Sequence, residues 1–449
     1  MIKNRNIQIL FFISFAYLSY FVFTQFYPAV DPLCYFVDYK INLFNTSYDL
    51  IYEKCQDDKD YFEGISDFSV ILNSDYKYQN RPLFLLVNYI IYQLLSVIFQ
   101  ILNIDFQFTF ELTYVIFNIL FVYICLQILI KLFQIKNLVN IFLIVLTLIF
   151  SPILKFSLFT VTNQHLTLLF FLLSLFLLQK QDVNNINFWS FILGIIYLAN
   201  RGFIISALVI LYILFMNSKN FKSFLIESLK NLLIFIFPNI IYNLFFSLTK
   251  YEIYDVNSYY FGQFIWLRNY LHQYINYFSN LTSLIEPVDF LFYESSWHCT
   301  SLSTFYRCYL NDNILTIKYL SSFFICLIVS YFLYKEKYLL SNNLLKYILL
   351  IFSFSYIFWS FIGWYPPVRF SIYSFGNLFL LLIIYISTIM NTDIGRYIFL
   401  TTTIYYFLTL TNWNNEILFF TPNNFIVLSL YLFSFFVDRK GSFNKEATL

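Results

Sequence analysis

Residues 138–154 read LVNIFLIVLTLIFSPIL, seventeen positions without a single charge. At about 1.5 Å of rise per residue, a helix of this length approaches the roughly 30 Å thickness of a bilayer's hydrocarbon core. Residues 166–179, LTLLFFLLSLFLLQ, repeat the pattern. The rest of the chain agrees with these two runs. Of its 449 residues 60% are hydrophobic and only 12% charged, about half the charge fraction of a soluble domain. The fold class is an all-α polytopic membrane protein, and its first partners are membrane lipids rather than nucleic acid.

Phe (60) and Tyr (40) are heavily used while Gly (8) is scarce. Membrane helices normally approach one another through small residues, so this bias reads as an AT-rich coding origin, and aromatic stripes carry no site information. Residues 7–26 are too long for the apolar core of a signal peptide, and no small-residue cleavage site follows them. They are expected to form a retained first helix. No repeat or linker divides the chain, so residues 1–449 are expected to form one membrane domain.

Apolar runs predict helices near 7–26, 83–102, 110–130, 138–156, 163–178, 188–200, 203–216, 231–249, 314–334, 347–363, 370–390, 397–411 and 423–437. The positive-inside rule decides which of them fails to cross. If 83–102 lies along the outer face, both termini and the segments 131–137, 179–187, 217–230, 335–346 and 391–396 are cytoplasmic. Together these hold 15 of the 27 Lys and Arg. If 83–102 crosses, every later loop flips and the basic segments face outward. The reading is therefore about twelve crossings plus an outer-face juxtamembrane helix at 83–102. Segments 188–200 and 203–216 are short, and either could be re-entrant. Two long periplasmic or luminal loops result: loop 1 at 27–109, acidic and including the interfacial helix, and loop 2 at 250–313, which carries Trp297 and His298. Loops of that length are usually functional.

Cys125 and Cys326 fall in apolar helices and read as inert. Cys34 and Cys55 fall in loop 1, Cys299 and Cys308 in loop 2, and each pair is a possible disulfide in an oxidising compartment. A zinc site is disfavoured, because His298 and Cys299 lack a second closely spaced ligand pair.

Charged groups next to apolar helices are costly and merit individual weighing. Asp31 lies a few residues beyond the first helix, in Tyr27-Pro28-Ala29-Val30-Asp31-Pro32-Leu33-Cys34-Tyr35. Arg81 opens the interfacial helix in Asn80-Arg81-Pro82-Leu83. Arg201 breaks an apolar stretch in Leu198-Ala199-Asn200-Arg201-Gly202-Phe203, and Arg369 follows Pro366-Pro367-Val368. In this topology all four face the same side. Guanidinium groups bind phosphate oxygens bidentately. A carboxylate at that surface can deprotonate an acceptor hydroxyl or hold a divalent cation, Mg or Mn. The set suits group transfer from a lipid phosphate, and it also suits lipid binding.

The order of these features, over roughly residues 1–390, resembles the GT-C superfamily of multi-pass glycosyltransferases. Asp31 with Tyr35 matches an acidic residue after the first helix, and Arg81-Pro82-Leu83 the start of a juxtamembrane helix. Gly194 to Arg201 matches a helix pair broken by Arg, and Pro366-Pro367-Val368-Arg369-Phe370 a late helix opened by Arg after prolines. The resemblance implies transfer of a sugar from a polyprenyl-phosphate donor to a lipid, glycan or protein acceptor at the non-cytoplasmic face. In it Asp31 is base or metal ligand, and Tyr35, Arg81, His165, Arg201 and Arg369 bind substrate. One departure stands out: Ser151-Pro152 is present, but Thr162-Asn163-Gln164-His165 stands where many relatives place an acid.

Two other classes meet some of the same observations. A non-catalytic subunit of an organelle-encoded respiratory or ATP-synthase complex fits the composition, and Arg369 with Gly376 and Asn377 vaguely fits a stator helix, although Tyr373 stands where that helix needs Asn. A lipid transporter would show two related halves, which the sequence lacks. A polysaccharide polymerase or ligase would also work on lipid-linked sugars from the outer face.

Overall fold

In the computed structural model, most of residues 2–249 are described, together with 342–361 and parts of 375–386. The expected helices at 314–334, 397–411 and 423–437, and loop 2 with Cys299 and Cys308, lie outside the described residues.

Within the described residues the apolar runs become helices, most of them close to their predicted bounds; the run at 231–249 begins ten residues earlier, at Phe221, so most of the expected loop 217–230 is helical. α1 spans Ile2–Phe26, α3 Pro82–Leu102, α4 Thr109–Phe133, α5 Leu138–Phe150, α6 Leu166–Lys180, α7 Ile186–Tyr197, α8 Ser206–Asn217, α9 Phe221–Thr249 and α10 Asn342–Phe361. α3, α4 and α9 are long and apolar enough to cross a membrane, by length and composition. The chain is a helical membrane protein. Loop 1 adds what the run-length reading did not anticipate: an antiparallel hairpin, β1 Cys34–Leu43 with β2 Thr46–Cys55, followed by a short helix α2, Gln56–Ser66. The strands obey a period of two. Tyr35, Val37, Tyr39, Ile41 and Leu43 fall on one parity, opposite Tyr52, Leu50 and Tyr48, while Asp38 and Lys40 share the other with Asp49 and Glu53.

α1 and α4 run antiparallel. Arg5 Nη2, near the start of α1, donates to the Ile135 carbonyl just past the end of α4 (3.0 Å). At mid-helix the Tyr17 hydroxyl donates to the Leu158 carbonyl, which also accepts from Asn118 Nδ2 (2.9 Å). α5 returns beside α1, with Phe12 and Phe142 stacked at 4.3 Å. Against lipid, helices gain little from hydrophobic burial and are held by close packing and polar pairs. The α7–α9 pair uses both devices. Ser190 Oγ donates to Asn231 Oδ1 (2.7 Å) with both residues fully buried. A turn later, Gly194 lets the helices meet so closely that a Cβ there would collide with the Phe235 carbonyl.

With few glycines available, helix ends use another residue for the left-handed position. Gln134 (φ 52°) follows α4 and Gln181 (φ 46°) follows α6. In each case the backbone folds back on the last turn, Ile135 N–H to Ile130 O and Gln181 N–H to Leu177 O.

Candidate functional site

The site is assembled where α3 begins. Pro82 occupies the first position of α3, where its missing N–H costs nothing. The next N–H, that of Leu83, is a helix-terminal donor with no partner inside α3. It donates to the Leu198 carbonyl at the end of α7 (3.3 Å). One residue on, the Ala199 carbonyl accepts from Asn163 Nδ2 (2.6 Å), and Asn200 Nδ2 donates back to the Asn163 carbonyl (2.9 Å). Asn200 also caps the 3-10 turn Arg201–Ile205, its Oδ1 accepting from the Gly202 N–H (2.8 Å). Three separate stretches selected from the sequence, around Arg81, around Arg201 and at Asn163–His165, thus meet at one place through backbone carbonyls and asparagine amides.

Arg81 is held by loop 1. Its Nη1 donates to the Tyr61 hydroxyl of α2 and its guanidinium sits 5.1 Å from the Tyr78 ring centre. Tyr61 and Tyr78 stack at 4.0 Å, and Tyr61 meets Phe84 edge-on at 5.4 Å. Tyr76 completes the cluster by donating to the Asp60 carbonyl (2.8 Å). Burial, reinforced by the neighbouring Tyr61, Asp60 and Glu63, pushes the Tyr76 phenol above its ordinary range, so it remains a neutral donor. Behind the cluster Tyr242 of α9 donates to the Gln79 carbonyl (2.6 Å), while Gln79 Nε2 reaches the Ile71 carbonyl (2.8 Å). The outer edge is trimmed by a second turn, Phe68–Leu72. Its cap, Asp67, accepts from Ser69 N–H (2.9 Å) and Oγ (2.7 Å), and these bonds hold the carboxyl below its ordinary range.

His165 precedes α6 and is fully buried, with neither ring nitrogen hydrogen-bonded among the described residues. Three rings of α4 present their edges or faces to it: Phe121 at 4.5 Å, Phe117 at 5.8 Å and Tyr114 at 6.4 Å. One turn before Tyr114 lies Glu111, also fully buried. Glu111 is not among the candidates drawn from the sequence. Its signal was position: a Glu in the first turn of α4, inside the run rather than before it. Tyr61 and Tyr78 were hidden by the aromatic excess.

The remaining candidates divide by what is described. Arg201 is placed by its backbone at the head of the 3-10 turn. Tyr35 is the second residue of β1, in register with Lys54. Asp31 and Arg369 lie outside the described residues. Among the described residues no three His, Cys, Asp or Glu side chains gather as a metal site.

The chain matches no protein-family profile, no curated protein and no solved structure.

Proposed function

We propose that this protein is a glycosyltransferase of the GT-C type, moving a sugar from a polyprenyl-phosphate donor to an acceptor at the non-cytoplasmic face. The observation that carries the reading is the convergence of the Arg81, Asn163–His165 and Ala199–Arg201 segments at the start of α3. An arginine fixed by Tyr61 and Tyr78 beside a helix N-terminus favours an anionic headgroup, since guanidinium N–H groups and the helix dipole both attract phosphate oxygens. The leaving group of such a transfer is a lipid phosphate, so cationic stabilisation of its developing charge supplies much of the catalysis. Asp31 is the acceptor-activating base or the ligand of a divalent cation, and Arg201 and Arg369 complete the phosphate-binding set. Tyr35 and His165 are the further substrate-binding residues that this reading implies. Glu111 supplies the buried acid that the Thr162–His165 stretch lacks.

Twelve crossings with cytoplasmic termini and an outer-face α3 belong to this reading. The antiparallel pairing of α1 and α4 supports it. If α3 crossed, α4 would run parallel to α1, and Arg5 would be a membrane thickness away from Ile135. α3 is long enough to span, so composition alone does not separate the two arrangements, and helix direction is what favours the outer-face reading.

The test is transfer in vitro with polyprenyl-phosphate sugars and purified full-length protein. Wild type transfers sugar, Asp31→Asn abolishes transfer, and Arg81→Ala lowers it on the order of a hundredfold, as loss of one preorganised donor does. Wild-type protein inert toward every such donor, or an Asp31→Asn variant as active as wild type, rejects the mechanism. Co-purification within a respiratory complex would favour the subunit reading instead.

A further inference from the structure

The hairpin of loop 1 ends on two cysteines placed opposite each other. β1 and β2 pair residue for residue from Leu43↔Thr46 to Cys34↔Cys55. Only two residues connect the strands, so the innermost pair is a hydrogen-bonded one, and the pairs alternate outward from it. Counting out, Cys34↔Cys55 is a non-hydrogen-bonded pair. Such pairs bring the Cα atoms to about 4.5 Å, inside the window of about 4.4–6.8 Å that disulfides require. A slip of one residue would set Cys34 against Lys54 or Gln56 and carry one cysteine to the opposite face. The two cysteines share parity with Asp38, Lys40, Asp49 and Glu53, together with Phe36 and Ile51.

The position of the pair matters as much as its register. Cys34 follows Asp31 by three residues. Cys55 directly precedes α2, which carries Tyr61, the phenol that holds Arg81. A bond between them turns the intervening hairpin into a closed side loop and joins the Asp31 segment to the Arg81 clamp by a short covalent path. Three residues reach at most about 11 Å.

We infer that Cys34 and Cys55 form a disulfide that clasps the base of the hairpin and ties the Asp31 segment to α2. The bond itself stands apart from the transferase reading; its effect on transfer rests on that reading. The chemistry is thiol–disulfide exchange with an oxidised thiol oxidoreductase of the outer compartment. The thiolate of one cysteine attacks the oxidoreductase disulfide to form a mixed disulfide, and the second thiolate then displaces it. The two thiol protons pass by way of solvent to the oxidoreductase sulfurs, and they leave with the two electrons as its reduced dithiol.

The experiment uses full-length protein in native-membrane vesicles, with Cys125, Cys299, Cys308 and Cys326 replaced by Ser. Free thiols are blocked with N-ethylmaleimide under denaturing conditions. The sample is then reduced and tagged with polyethylene-glycol maleimide, so each released thiol gives one gel shift. Two tags are expected after reduction and none without it, and Cys34→Ser should leave Cys55 blocked by the first reagent and untagged. Two cysteines that are both blocked before reduction overturn the bond. Peptide mapping of unreduced wild-type protein provides the check if the background variant does not fold: a Cys34–Cys55 cross-linked peptide is expected, and a Cys34–Cys299 or Cys34–Cys308 peptide overturns the pairing. For the coupling, Cys55→Ser should slow sugar transfer on the order of tenfold to a hundredfold, the scale of a small misplacement of reacting groups. Unchanged transfer in an active protein overturns the coupling. A wild type without transfer defeats the transferase reading and the coupling together, and the gel shifts still decide the bond.

Discussion

Asp67 shows how a single exposed carboxylate organises the rim of the site. It accepts both hydrogen bonds of Ser69 and caps the turn that leads into Gln79 and Arg81. Because its folded pKa lies below the ordinary value, its contribution is fully present above the usual carboxylate range and is lost as the pH falls through the lowered folded value. Protection factors for the amides of residues 68–73 should therefore fall as the pH is taken from about 6 to about 3. Asp67→Asn keeps an acceptor at the cap but does not titrate, and should flatten that profile. A slope unchanged in Asp67→Asn would assign the effect to another group. At this scale the sequence was only partly legible. Arg81, Arg201 and His165 could be selected because polar groups in apolar runs are conspicuous. Asn163 and Asn200 could not be matched to each other, since nothing in a linear run shows that Asn200 donates to a backbone carbonyl 37 positions away and that Asn163 donates back to that of Ala199.

At the scale of elements, helix positions followed from run length and charge. The expectation of 110–130 became Thr109–Phe133, and that of 203–216 became Ser206–Asn217. The hairpin was missed for a physical reason: loop 1 was judged by its acidity, while the alternation from Tyr35 to Leu43 that marks a half-apolar strand was read as background in a Tyr-rich chain. Two element ends give a matched test. Gln134 is exposed and left-handed, so Gln134→Gly should stabilise detergent-solubilised protein by about 1 kcal/mol, seen as a higher thermal midpoint. Gln181 has the same backbone, but its Nε2 donates to the Tyr347 hydroxyl of α10. Gln181→Gly should show no such gain, because the lost hydrogen bond offsets the relieved strain. Equal gains at both positions would mean that the Tyr347 contact contributes nothing. Gly194 is the opposite case, a glycine kept for space instead of for φ. Gly194→Val should push α7 from α9 and cost about 1–3 kcal/mol, with loss of transfer following from displacement of Leu198 and Ala199. A variant with wild-type thermal midpoint would show that the pair can separate freely.

At the scale of the whole molecule, the antiparallel pairing of α1 and α4 favours the proposed arrangement of loops, and labelling tests it. In the proposed arrangement the segment between α3 and α4 is on the outer side, like the turn before α3. Cysteines introduced by Asn73→Cys and Asp105→Cys, in a background free of other reactive thiols, should both react with a membrane-impermeant maleimide from the non-cytoplasmic side. Labelling of Asp105→Cys only after permeabilisation would mean that α3 crosses. In the sequence, charge bookkeeping favours setting 83–102 aside, because counting all thirteen segments as crossings turns every later basic loop outward.

The hydrogen bond from Tyr242 to Gln79 spans 163 residues of chain. A ribosome adding roughly 5–20 residues per second takes on the order of ten to thirty seconds to cover that interval. Throughout it, the loop holding Arg81 exists without its back wall. The corner around Arg81 therefore cannot close during synthesis until α9 has been made, whereas the Gln181–Tyr347 contact waits longer still, for α10.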